Sequence, residues 1–63
     1  MTNDKRLLSR KQYDLLVRHC PRYMQGAYAS LNKKWHLGGI WAYGHPKQIA
    51  ELDEQLTFAE NCR

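Results

Sequence analysis

The side chains in this 63-residue chain best suited to ligating a metal or attacking a substrate are His19, Cys20, His36, His45 and Cys62. Structural zinc sites take paired ligands a few residues apart on a turn, and the sequence has no Cys-x-x-Cys or His-x3-His pair, so no metal site is expected. His19 beside Cys20 does not make a dyad, because neighbours on a helix point about 100° apart. Gly38-Gly39 lacks the further glycines of a dinucleotide fingerprint and the lysine and serine of a phosphate loop. Catalysis also needs a nucleophile, a base and an orienting group converging in a pocket, and a chain with one thin core has little room for that. The expectation is a protein with no catalytic residues and no cofactor.

Charge and aromatic surface are the chemistry that remains. Residues 1–34 carry eight basic groups against Asp4 and Asp14, whereas residues 35–63 carry Lys47 and Arg63 against four acids, so a formal charge of +4 hides a basic front and an acidic back. Lys5, Arg6, Arg10 and Lys11 cluster where the first helix begins, a place where positive charge opposes the helix dipole by about 0.3–1 kcal/mol. Phosphates would offset that cost. Lys5, Arg6, Arg10, Lys11, Arg18 and Arg22 are therefore candidate nucleic-acid contacts, with Trp35, Trp41 and Tyr43 available to stack on bases. Solubility and core packing are the plainer roles for the same residues. A helix-turn-helix fits poorly: with Gly26 at the turn, Pro21 falls inside the preceding helix, and with Gly38 there, Lys34 takes a position that wants a small buried residue.

Protein binding competes with that reading. Seven aromatic residues are more than one thin core covers, and aromatics anchor interfaces. A domain this small buries only about 60% of the surface its unfolded chain exposes. Small scaffolds make up the deficit with disulfides, metals, very good packing or oligomerisation. The first two are poorly provided for, so a homodimer is expected, held by Trp35, Leu37, Ile40, Trp41 and Tyr43. Tyr13, Leu16, Val17, Met24, Tyr28, Leu31, Ile49, Leu52, Leu56 and Phe58 would supply the shared core or a cleft for a partner helix.

The elements that must position these residues are legible in part. Ser9 is a good N-cap, Gln12 completes a capping box and Leu8 can staple onto Tyr13. Apolar residues at 13, 16, 17 and 20 and again at 24, 27, 28 and 31 share one helical phase. Pro21 interrupts them, but the preserved phase favours one kinked helix from about Ser9 to Asn32, with two helices meeting at Cys20-Pro21 as the alternative. Residues 35–43 read as extended, either a hairpin turning at Gly38-Gly39 or a single strand that pairs with its copy, the glycines permitting a bulge or close approach. Pro46 suits the first position of a last helix, in which Ile49, Leu52, Leu56 and Ala59 form a seam.

The expected fold is thus mostly α with a short β element: two helices flanking a central strand or hairpin, intertwined as a homodimer. Residues 1–63 form one domain, of which 1–7 are a flexible basic segment. No apolar run approaches the roughly 20 residues that span a bilayer, and no secretory pattern is seen, so a cytoplasmic location with reduced thiols and no membrane partner is expected.

In its length, its capped basic opening SRKQYDLLVRHCPRYM, its central WHLGGIWAYG and its closing HPKQIAELDEQLTFAEN, the chain is similar to the short early accessory proteins of lambdoid temperate phages, encoded between the recombination and excision genes. The resemblance implies a non-enzymatic bacteriophage early protein that favours lytic development by binding a host or phage protein. It transfers no functional residue to any position here. The two functions expected are therefore a dimeric protein-binding modulator and, as the alternative, a small basic nucleic-acid-binding regulator.

Overall fold

A computed structural model of the chain describes residues 3–62. Six elements follow in order: β1 (Asp4–Ser9), α1 (Arg10–His19), α2 (Pro21–Gln25), β2 (Asn32–His36), β3 (Gly39–Gly44) and α3 (Pro46–Asn61). With 52% helix and 28% strand the domain is mixed α/β, not mostly helical around one strand. The strands form one antiparallel sheet in the order β1-β3-β2.

The capping box at Ser9 starts α1 as its residues require. The Gln12 backbone N–H donates to Ser9 Oγ at 3.1 Å, and the Ser9 N–H donates to Gln12 Oε1 at 2.9 Å. Cys20 then leaves helical angles at φ −130° and ψ 55°, as a residue before proline is pressed to do, and Pro21 opens α2. The kinked helix running to Asn32 is not formed. Two helices meet at Cys20-Pro21, α2 stops at Gly26, and Tyr28 and Leu31 reach the core from the turns that follow.

Most of the segment expected to be a flexible tail is a strand. Asp4 to Ser9 pair residue for residue with Gly44 to Gly39, while Met1 and Thr2 lie outside the described residues. β3 therefore has a neighbour on each side, which overturns the idea of a lone strand waiting for its copy. β2 and β3 form a hairpin around Leu37 and Gly38, with φ +84° at Gly38 alone, the pattern of a type II turn. The turn sits one residue earlier than Gly38-Gly39, because Gly39 has another role. A Cβ there would meet the Leu8 carbonyl oxygen at 2.6 Å, so glycine is what lets β1 close against β3.

α1 and α3 pack on the sheet's inner side, with α2 against α1, around a core of Leu8, Leu16, Cys20, Tyr28, Leu31, Ala42, Ile49, Leu52, Leu56 and Ala59. The seam of α3 is buried throughout. Two residues expected in the shared core or a partner cleft lie outside the core of this chain: Val17 is 46% exposed and Phe58 56%. Each sits next to a fully buried neighbour, Leu16 and Ala59, and one helical step of about 100° carries it off the stripe. Ile40, expected at a dimer contact, points inward and is 1% exposed. Among the described residues, no helix is long and apolar enough to cross a membrane.

Candidate nucleic-acid interface on the open sheet face

Strand periodicity sorts the sheet's residues between two faces. Leu8, Ile40 and Ala42 are buried beneath the helices, so their alternates face the other way. The pairing register places those alternates in three rows across β1, β3 and β2: Ser9, Gly39, His36; Leu7, Trp41, Lys34; Lys5, Tyr43, Asn32. None of these nine positions is acidic. The acids lie elsewhere: Asp4 alternates onto the inner side at the sheet's end, Asp14 is on α1, and Glu51, Asp53, Glu54 and Glu60 are on α3.

Trp41 and Tyr43, both half-buried, make the central column of this face. Two residues along an antiparallel strand separate them by about 6.8 Å. Lys5 lays its ammonium over the Trp41 ring at 5.1 Å from the centroid, and Leu7, the cross-strand partner of Trp41, is exposed. On the β2 side a shallow cleft of about 510 Å³ is lined by Asn32, Lys33, Lys34 and Tyr43.

The neighbouring lysine has a structural role. Lys33 alternates to the inner side, where its Nζ donates to the carbonyls of Tyr28 at 3.0 Å, Leu31 at 3.1 Å and Ala29 at 3.4 Å, above the Tyr28 ring. That tether fixes the start of β2. Asn32 and Lys34 side chains and the Tyr43 hydroxyl have no intramolecular hydrogen bond among the described residues, so they are available to a ligand.

The six basic residues singled out in the sequence are not brought together. Lys5 is on the open face, whereas Arg6 points inward to an ion pair with Asp53 at 2.9 Å. Arg10 lies 6.0 Å above Trp35, and Lys11, Arg18 and Arg22 are exposed on the helices. The five expected dimer contacts scatter as well. Trp41 and Tyr43 face outward, Ile40 inward and Leu37 is fully exposed at the turn, while Trp35 is 62% exposed with its edge against Tyr13. Tyr13, Leu16, Met24, Tyr28, Leu31, Ile49, Leu52 and Leu56 lie in or against the core of this single chain. Lys34, Asn32 and Leu7 were missed as site residues. The period-two pattern that would have exposed them runs through segments read as helix and as tail.

Of the possible metal ligands, Cys20 is buried and its thiol donates weakly to the Gln55 carbonyl at 3.8 Å. Burial, and secondarily Cys62, pushes that thiol's pKa up, away from thiolate chemistry. His45 accepts the Lys47 N–H at Nδ1 and caps α3. Among the described residues no three His, Cys, Asp or Glu gather where they could hold a metal ion. No family model matches the chain, and neither curated proteins nor solved structures show a match. The chemistry of the open face must speak for itself: two aromatic rings in line, lysines on either side and no opposing charge.

Proposed function

We propose that this protein is a small non-enzymatic nucleic-acid-binding protein that takes a single strand across the open face of its sheet. The supporting observation is the composition of that face, where Trp41 and Tyr43 are flanked by Lys5 and Lys34 with no acid among the nine outward positions. Cations on the strand's path supply attraction to phosphates, and aromatic rings supply stacking that tolerates any base. Continuous duplex stacks its bases about 3.4 Å apart, so aromatic residues whose backbone positions lie about 6.8 Å apart along a strand suit bases separated from one another. A second copy is the poorer occupant, since face-to-face packing would bring two faces that carry lysines and no acid against each other.

The test is a titration of the protein with a labelled single strand of twelve nucleotides and with its duplex, at low salt. Single-strand binding is expected, weakened roughly 5- to 150-fold by Trp41→Ala, as the loss of one base stack would produce. Binding of duplex alone, or affinity indifferent to Trp41, would overturn the reading.

One observation favours a second reading, in which the chain works as a homodimer or binds a host or phage protein. Trp35 and Leu37 are exposed together at the end of the β2–β3 hairpin, away from the open-face rows. That reading places a partner at the hairpin end, and sedimentation at micromolar concentration checks it. A monomer unchanged by Leu37→Ser leaves no place for self-association there.

A further inference from the structure

We propose that the helical side of this domain, opposite the open sheet face, binds a second copy of the chain through a two-fold contact that lays the basic α1 of each copy on the acidic α3 of the other. α1 and α3 touch each other and both pack on the inner side of the sheet, so their exposed residues look away from it side by side. On α1 those residues are Arg10, Lys11, Asp14, Val17 and Arg18, and Arg22 continues the stripe on α2. On α3 the exposed charges are Lys47, Glu51, Asp53, Glu54 and Glu60. The two stripes are opposite in sign, and so are their exceptions, Asp14 and Lys47. Neighbouring helices of opposite charge could neutralise each other within the chain. They do not: among the described residues the one ion pair is Arg6 with Asp53, between β1 and α3. Lys11, Arg18, Arg22, Glu51, Glu54 and Glu60 form none among those residues.

A partner that answers this surface must present a basic and an acidic stripe side by side in the complementary order. A second copy turned about an axis that runs between the two helices does so. The rotation sets α1 over the other copy's α3 and α3 over the other copy's α1, so each attraction occurs twice, whereas a rotation that set α1 on α1 would oppose like charges. Each helix also leaves one large apolar side chain exposed, Val17 on α1 and Phe58 on α3, which charge alone does not explain and which an interface covers. A contact held by exposed charges is weak and screened by salt. It leaves the open sheet face on the outside of both copies.

Sedimentation equilibrium tests the contact over about 10–500 μM protein, at about 50 and 500 mM salt. The native chain is expected to dimerise at the lower salt and dissociate at the higher, with affinity reduced about 10-fold or more by Arg18→Glu and by Glu54→Arg, each of which sets like charges together. Both positions are exposed, and circular dichroism checks the fold of each variant. An equimolar mixture of the two variants should dimerise as the native chain does, because the two reversed helices meet each other and the two native helices meet each other. A native chain that stays monomeric throughout at the lower salt overturns the proposal, as does a mixture no tighter than either variant alone. A dimer indifferent to both reversals also overturns it, and its loss on Leu37→Ser would move the contact to the hairpin end. No strand is present in these measurements, so their outcome leaves the single-strand reading untouched.

Discussion

Replacing Lys34 with glutamine should halve the salt dependence of single-strand binding. Two lysines on the open face, Lys5 and Lys34, are placed for phosphates, because Lys33 is committed to backbone carbonyls and Arg6 to Asp53 on the inner side. Each phosphate neutralised on a single strand contributes about −0.7 to the slope of log affinity against log salt, so two contacts give about −1.4. Raising salt from about 50 to 200 mM then lowers the native affinity about 7-fold, and that of Lys34→Gln only about 2.6-fold. Fluorescence anisotropy of a labelled twelve-nucleotide strand over that range measures both slopes. Lys11→Gln, a change on the exposed side of α1, should leave the native slope unaltered. A slope unaffected by Lys34→Gln but reduced by Arg18→Gln or Arg22→Gln would move the contact surface to the helices and refute the placement on the sheet.

Further outcomes follow from the fold. Leu52→Ala empties a fully buried site between α3 and the sheet and should cost about 2–5 kcal/mol in urea unfolding, a large part of a small domain's stability. Gly39→Ala drives a methyl against the Leu8 carbonyl and should cost about 1–3 kcal/mol, with amide exchange accelerating first along β1. Ser9→Ala removes one side of the capping box and should cost about 1 kcal/mol in the same assay. Tyr23 and Tyr28, whose hydroxyls are buried without a hydrogen-bond partner among the described residues, have pKa values pushed from 10 up to about 12, chiefly by burial. The folded chain then holds these protons where the unfolded chain has lost them. Their contribution to stability is complete below pH 10 and falls as pH rises from 10 towards 12, so alkaline unfolding should accompany tyrosinate absorbance at 295 nm. Ionisation near pH 10 with the fold intact would show that the hydroxyls are not enclosed.

The starts of α1 and α3 were legible because local chemistry decides them. Ser9 with Gln12, Pro21 after Cys20, and Pro46 after His45 mark starts and stops that survive any tertiary context. The α3 seam was legible for the same reason, its spacing leaving only one stripe to bury. The sheet was not. In β1 the adjacent pair Leu7-Leu8 hides the alternation, since Leu8 enters the core and Leu7 stays outside. Its pairing with β3 joins residues thirty to forty positions apart, which no local pattern reports. Asn32–His36 suffered from Met24, Tyr28 and Leu31, whose helical phase suggested one continuous helix. Tyr28 and Leu31 are indeed buried, but from turns, with Lys33 capping the carbonyls left over. With β1 and the first half of β2 unread, the rows that put Lys5 and Lys34 on either side of Trp41 and Tyr43 had no place to appear.

Amide and indole chemical-shift mapping of the nitrogen-15-labelled chain, titrated with a short single strand, addresses the proposed face most directly. Lys5, Leu7, Asn32, Lys34, Tyr43 and the Trp41 indole should shift together and saturate at one equivalent, while the exposed side of α3 around Ala50, Glu54 and Thr57 stays still. Shifts gathered on α1 and α2 around Arg18 and Arg22, or none on β1 and β3, would contradict binding across the sheet.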